Sequence, residues 1–468
     1  MRDFLKSFFS FGVATSIEKL LGFILLPVYT RLFTVEHFGI IDLTQVLIST
    51  VSILGILQLE TSLQRYYYEM EGEAKKKFIG SIFLKVTAIS LLLGIILCIA
   101  SYQISQSLFH SPAYSTLIQI AAIQVPLSNF SILSLIILRY EGKNRLFLFS
   151  ILLKVATTFI GVYVFLFVFK LGLPGVFYAG TSAMLLSAAF LYYIIRHHLS
   201  FTKKLSFYKK SLKYALPQVP ARIGSATLSY ANRFFIVNYL TIASVGIYSL
   251  SLKLASIIQL IYTAFIMAWS PFMFKQFQNP NHKQVFGRAL NFAAAILFPV
   301  ICLVCIFSFE IVKLVSSKPF YEARFYLGGL CLYFAFLIFK EIVDIGPKIT
   351  EKTKYLTLTF FISIIVNLSS LFLLIKPLQI KGVVYSMVIT NLILFFVSWI
   401  VSNKLYYINF KMGAFILKLV PTLAVTIFMM YYDLPLLSKL IFSVVIVILY
   451  GLTALQVYQS LKFDLKKK

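Results

Sequence analysis

Carboxylates are scarce in this chain: 16 Asp and Glu stand against 43 Lys and Arg in 468 residues, a formal net charge of +27. A cavity built for cationic ligands needs more acid than that. Cysteine is rarer still. Cys98, Cys302, Cys305 and Cys331 all fall in apolar segments, which excludes a disulfide framework. Cys302 and Cys305 have C-x-x-C spacing, but Leu303, Val304 and Ile306 offer no basic or aromatic redox setting, so they read as small apolar helix residues. The five histidines (His37, His110, His197, His198, His282) lie near segment ends, and none pairs with Glu at metal-ligand spacing. No metal, cofactor or catalytic constellation is expected. Long polar stretches are missing too: the widest connection, 198–211, is too short for an extramembrane domain. No small-residue cleavage site follows a short apolar core at the amino end, so the first apolar segment is expected to be retained.

What the chain does have is apolar length. It is 60% hydrophobic and only 13% charged, with a mean hydropathy of +0.89. A water-soluble protein of that composition could not cover its surface. Spans are expected near 7–33, 38–66, 78–102, 113–139, 146–170, 174–197, 212–240, 243–275, 286–312, 323–347, 354–376, 380–403, 412–432 and 435–460. Each has about 20 residues or more, enough to cross a hydrocarbon layer of roughly 30 Å.

Lysine and arginine crowd into every second connection. By count, 27 of the 43 basic residues fall on one side, among them Lys75, Lys76 and Lys77, Arg139, Lys143 and Arg145, and Lys203, Lys204, Lys209 and Lys210. Only Arg31, Lys170, Lys313, Lys318, Arg324, Lys376, Lys381 and Lys439 fall on the other. The rich side is expected to be cytoplasmic and to hold both termini. On a soluble domain this charge would point to nucleic acid. In short loops beside apolar spans it reads as a topology signal and as attraction to anionic lipid.

A faint repeat is visible. Thr30-Arg31-Leu32-Phe33 precedes Phe38-Gly39-Ile40-Ile41, and Asn232-Arg233-Phe234-Phe235 precedes Val245-Gly246-Ile247-Tyr248. Six spans separate the copies, so both share one orientation. Parallel repeats of this kind suggest two six-helix halves around an axis along the membrane normal, with chance similarity of apolar sequence as the rival. Domains are therefore expected at 1–205 and 206–410, with two further helices in 411–468. Prolines punctuate the spans. Pro27 is a candidate hinge in span one, and Pro217 with Pro220 marks span seven as the helix expected to break or flex.

Charge inside the spans points toward a task. Lys19, Lys85, Lys154, Arg222, Arg233, Lys253, Lys340 and Lys418 lie within apolar segments, as do the acids Glu18, Asp42, Glu60, Glu341 and Asp344. A charge at mid-bilayer costs about 2.5–3.5 kcal/mol on insertion scales. So many are tolerable only against one another or in a wet cavity. Span seven carries Gln218, Arg222, Ser225, Ser229 and Asn232-Arg233 at three- and four-residue steps. Span two carries Asp42, Gln45, Ser49, Ser52, Glu60 and Gln64, broken by Ile56. Span eight carries Ser249, Lys253, Ser256 and Thr263. With Lys19 in span one and Arg31 at its outer end, the cations form a ladder across the bilayer. Such a ladder attracts a large anion, phosphate above all. The competing reading is pairing: Glu18 with Lys19, and Lys340 with Glu341 and Asp344, could neutralise themselves, while Lys85, Lys154 and Lys418 could snorkel or pack.

Two stretches carry a resemblance. LLPVYTRLFTVEHFGIIDLTQ near the amino end is similar to the opening of polysaccharide-biosynthesis flippases of the O-antigen and capsule type. LKYALPQVPARIGSATLSYANRFFIVNYLTIASVGIYSLSLKLAS is similar to the start of their second half. These proteins belong to the multidrug/oligosaccharidyl-lipid/polysaccharide exporter superfamily. The resemblance implies an all-α integral membrane protein of about fourteen transmembrane helices. Two six-helix lobes would be related by a pseudo-twofold around a central cationic cavity, with two carboxyl-terminal helices added. It implies a bacterial inner-membrane protein that moves an undecaprenyl-pyrophosphate-linked oligosaccharide between leaflets by alternating access. Membrane lipids, and the polysaccharide polymerase and export machinery, are the implied partners. Lumen-lining cations would fall on Lys19, Arg31, Arg222, Arg233 and Lys253, and coupling carboxylates on Glu18, Asp42, Glu60 or Asp344. Relatives often carry Asp before the second-half arginine. Here it is Asn232, which leaves the counter-ion of Arg233 open. A drug/cation antiporter and a membrane-embedded glycosyltransferase or polymerase are the alternatives. The first needs an acidic cavity and the second a large external loop.

Overall fold

The computed structural model describes residues 22–200, 205–352 and 354–466, without the side chains of 205–207, 221, 229, 268, 270, 271 and 453–466. Its elements are helices, and no strand occurs among the described residues. Apolar runs in hydrocarbon must satisfy their own backbone, which leaves the helix as the spanning form for such segments. By internal contacts the chain divides into two compact units, Met1–Leu25 with Glu36–Val237, and Leu26–Val35 with Asn238–Lys468. The boundary cuts α1 (Gly22–Leu32).

The first unit holds α2 (Val35–Ile56), α3 (Leu59–Tyr66), α4 (Gly72–Ile99), α5 (Ser101–Phe109), α6 (Ser115–Ala122), α7 (Gln124–Tyr140), α8 (Asn144–Val162), α9 (Leu173–Ile195), α10 (Leu205–Ala215) and most of α11 (Val219–Tyr239). The expected span two is one run in sequence but two helices in space. Leu57 and Gln58 both take left-handed backbone, at φ 48° and 58°. Neither is glycine, so each costs about 1–3 kcal/mol, and nothing in the local sequence announces the break. Span four breaks at Ile123, for a legible reason. Pro126 has no N–H to give the carbonyl of Ala122, and Gly94 of α4 packs against that carbonyl. The expected loop 198–211 contains most of α10. Tyr214 of this helix meets Tyr66 edge-on at 5.7 Å, and Lys210 lies 4.2 Å over the same ring, which fastens α10 to α3.

The second unit holds α12 (Ile242–Phe277), α13 (His282–Ile306), α14 (Ser308–Val315), α15 (Arg324–Val343), α16 (Ile345–Ile349), α17 (Lys354–Leu405), α18 (Met412–Met429) and α19 (Leu436–Lys466). Its centre is phenylalanine: Phe298, Phe339, Phe395 and Phe415 pack ring to ring at 5.0–6.4 Å. Lys418 does not snorkel. Its ammonium donates to Asn291 Oδ1 and the Ala414 carbonyl, tying α18 to α13. Lys439 is 2% exposed and bonds Glu310 and Asp433, and Asp433 also receives Arg324. Lys340 pairs with Asp344, and Lys348 with Glu341.

Among the described residues, ten helical stretches are long and apolar enough to cross a membrane. One of them, α17, has 52 residues and covers two expected spans. The chain turns between them at Gln379 (φ 51°), so tightly that a Cβ on Gly382 would lie 2.0 Å from the Leu374 carbonyl oxygen. α1 and Leu436–Leu452 are shorter apolar helices. α11 falls outside the ten because Arg222, Arg233 and its other polar side chains lower its hydropathy. The fold class is all-helical and membrane-spanning, with about fourteen segments.

At Gly55, α2 packs against side chains of α4 and α7. A Cβ there would lie 2.7 Å from Asn129 Nδ2 and 2.8 Å from Ser90 Oγ. Gly55→Ala should therefore destabilise by about 1–3 kcal/mol through overpacking. Thermal unfolding of the purified protein checks this, and an unchanged Tm would mean that the three helices do not meet as described.

Candidate functional site

Inside the first unit lies a cavity of about 450 Å³. α2 supplies Gln45, Ser49 and Ser52, α3 supplies Glu60 and Gln64, α7 supplies Asn129 and Arg139, and α11 supplies Arg222 and Tyr230. From Gln45 to Gln64 the polar stripe expected on span two lines a single cavity despite the break, with Ser52, Ile56, Glu60 and Gln64 at four-residue steps, while Asp42 at its head is not in the lining. Arg222 and Arg139 are both exposed at the lining, and Arg139 also lies 5.7 Å from the Tyr140 ring. Glu60 is the one carboxylate in the lining and is near enough to Arg222 for their charges to attract. Two guanidinium groups against one carboxylate leave the wall net positive.

Three buried oxygens of this wall, Ser52 Oγ, Asn129 Oδ1 and Glu60 Oε2, meet no hydrogen-bond partner among the described residues. The amide nitrogen of Asn129 is occupied. It donates to the Ser52 carbonyl at 3.0 Å and to Ser90 Oγ at 2.8 Å. A second cavity of about 230 Å³ runs between α2 and α11, lined by apolar side chains such as Leu54, Ile223 and Phe234. Ile53 and Tyr230 line both cavities. A wet chamber and an oily slot therefore share one wall.

The residues singled out in the sequence part company here. Arg222 faces the cavity. Arg233, eleven residues further along α11, is 7% exposed and places its Nε 2.5 Å from Asp42 Oδ2 of α2. The counter-ion left open by Asn232 is thus supplied from 191 residues away. Asp42 is committed to that pair, Asp344 is engaged by Lys340, and Glu60 stands in the cavity. Arg31 and Lys253 belong to the second unit, the former exposed and the latter half-buried. Glu18 and Lys19 lie outside the described residues. Of the expected hinges, Pro27 lies in α1, Pro217 in a 3₁₀ turn (Leu216–Gln218) between α10 and α11, and Pro220 in the first turn of α11.

The family described as "Polysaccharide biosynthesis protein" matches residues 4–277. The chain belongs to this family. Among curated proteins none matches it. Solved structures match in fold. One is the lipid II flippase MurJ in an inward closed conformation, with TM-score 0.69 and 15% identity over 97% of this chain and 99% of that one. Another is a multidrug resistance MATE family transporter of the MOP superfamily, inward-facing, at 0.65 and 15% over 86% and 98%. A mutant of the Vibrio cholerae MATE transporter VcmN matches at 0.56 and 14% over 86% and 96%. Membership of the polysaccharide biosynthesis family, the apolar helices and these matches make the chain a multi-pass membrane protein with a fold like those of MurJ and the MATE transporters.

Two lining residues of this family member were not singled out from sequence. Arg139 was counted among loop charges, and Asn129 was one polar residue in an apolar span. Their signal was present, since Asn129, Ile132, Ile136 and Arg139 recur at three- and four-residue steps along α7.

Removing one partner of a buried pair leaves a bare charge, at about 3–5 kcal/mol, whereas an apolar replacement of both is near neutral. Asp42→Leu and Arg233→Met should each lower the Tm sharply, and the double variant should recover most of the loss. Additive losses in this double-mutant cycle would show that the two side chains do not pair.

Proposed function

We propose that the chain is a flippase that translocates an undecaprenyl-pyrophosphate-linked oligosaccharide from the cytoplasmic to the outer leaflet of a bacterial inner membrane by alternating access. The observation that carries this reading is the pair of exposed guanidinium groups, Arg139 and Arg222, in a polar cavity that adjoins an apolar slot. Planar guanidinium groups match diphosphate oxygens in bidentate fashion and gain strength where water is partly excluded. The chamber suits a saccharide, and the slot between α2 and α11 suits the first part of a prenyl chain. Family membership supports the saccharide, and the MurJ-like fold supports a lipid carrier. Translocation needs no covalent step, so none of these residues is assigned a catalytic role.

In this reading residues 1–205 and 206–410 form the two lobes and 411–468 the added pair, with both termini cytoplasmic. Lys19, Arg31 and Lys253 are the further cations assigned to cargo binding. Arg233 holds α11 to α2 and acts on cargo only through that contact. Pro27, Pro217 and Pro220 provide bending points. Glu60, with an oxygen buried at the cavity wall, is the strongest candidate for a coupling carboxylate, ahead of Glu18, Asp42 and Asp344. The polymerase and export machinery would receive the product. A drug/cation antiporter fits less well, because the cavity wall is net positive.

Arg222→Ala and Arg139→Ala should each reduce translocation of a fluorescent undecaprenyl-diphosphate saccharide in reconstituted vesicles by about tenfold or more, the scale of one lost charge-assisted contact. Arg222→Lys should recover part of the rate where point charge suffices, and none where the bidentate fork is required. Full activity in the double alanine variant would eliminate the anion-binding mechanism. For orientation, Lys209→Cys on α10 should resist impermeant thiol reagents in intact cells and react after lysis. Labelling in intact cells would invert the topology.

A further inference from the structure

The unpartnered oxygens of the first-unit cavity call for a ligand of a particular kind. Asn129 is fully buried and Ser52 is 8% exposed, and both line the chamber. Asn129 cannot present its nitrogen instead, because that nitrogen is held by the Ser52 carbonyl on α2 and by Ser90 Oγ on α4. Its Oδ1 is therefore a fixed acceptor, locked by three helices and aimed at nothing in the chain. Ser52 Oγ beside it is likewise without a partner. An acceptor buried without a donor costs about 1–3 kcal/mol. Water can fill a chamber of this size and polarity between turnovers, but a cargo that occupies the chamber must replace those waters with donors of its own.

The charge around these atoms narrows the cargo. The fixed amide oxygen of Asn129 repels a phosphate, and a bare cation would share the cavity with Arg139 and Arg222. A neutral group rich in O–H and N–H donors satisfies both conditions. Ile48, Ile132 and Met184 complete the wall and offer flat apolar contact to the C–H face of a pyranose. Along α7, Asn129 stands ten residues from Arg139, about 15 Å by helical rise. That separation suits a saccharide joined to a diphosphate held by the arginines.

We infer that Ser52 and Asn129 form a saccharide subsite that reads hydroxyl and N-acetyl amide donors on the first sugars of the lipid-linked cargo. The inference rests on the flippase reading and adds the place where the glycan, as distinct from its carrier, is recognised. Ser52 is the cleaner probe. Its hydroxyl makes no hydrogen bond within the chain, so its removal costs the fold little, whereas Asn129 also fastens α2 to α4.

The test measures binding of two lipids to the full-length protein in nanodiscs: undecaprenyl diphosphate, and the same carrier bearing an N-acetylglucosamine disaccharide. In the wild type the disaccharide should tighten binding. Ser52→Ala should weaken the sugar-bearing lipid by about three- to tenfold, the scale of one lost hydrogen bond, and leave the bare carrier unchanged. Ser52→Thr, which keeps the hydroxyl, should lie between them. Arg222→Ala should weaken both lipids alike. Gln45→Leu, on the same wall, serves as the second variant should Ser52→Ala fail to fold, with the same selective loss expected. Equal effects on both lipids, or no gain from the disaccharide in the wild type, overturn the subsite while leaving the flippase reading standing. Failure of the wild type to bind either lipid overturns the flippase reading itself.

Discussion

Hydrocarbon offers no hydrogen-bond partner, so a polar atom carried into it must be met by the chain, by water in a cavity or by cargo. That constraint sorts the polar residues of this protein. Arg233 is met by Asp42, Lys418 by Asn291 and a backbone carbonyl, Lys439 by Glu310 and Asp433, and Lys340 by Asp344. These groups are accounted for within the fold. Arg222, Arg139, Ser52, Asn129 and Glu60 gather around one chamber, and three of their oxygens have nothing in the chain to bond. Function is sought where satisfaction stops.

The two arginines of α11 illustrate how little residue type alone decides. They are eleven residues apart, about three turns, and so lie on nearly the same face. One faces the chamber and the other is locked to α2. The difference lies in what stands opposite each: Asp42 in direct contact for Arg233, and for Arg222 a chamber with Glu60 in its wall. A charge in a low-dielectric setting without a partner is costly to keep, and a chain that retains one has set it toward something mobile.

Much of this was legible in the amino-acid order. The spans follow from apolar length, and the stripe from Gln45 to Gln64 was readable as one wet face because helical spacing survives translation into structure. What was not legible has physical reasons. The partner of Arg233 lies 191 residues away, beyond any local pattern. The break at Leu57 and Gln58 uses neither glycine nor proline, so it arises from packing rather than from propensity. α10 has the look of a loop because the run is short and basic, although Tyr208, Leu212 and Ala215 recur at three- and four-residue steps and pack on the core. Arg139 was hidden by its position, since a charge at a span end serves topology and chemistry equally well in a census.

The Asp42–Arg233 contact also bears on where the molecule can bend. It binds α11 to α2 within the first unit, and the division by contacts passes after Val237 rather than at Pro217. The proline turn ahead of α11 lies within the first unit, so a bend there is a movement inside that unit. A rotation of one body against the other would be absorbed where the chain changes allegiance: within α1, at the threshold of α2, and in the last turn of α11. Those crossings are three short pieces of backbone, and the third lies about one helical turn past Arg233.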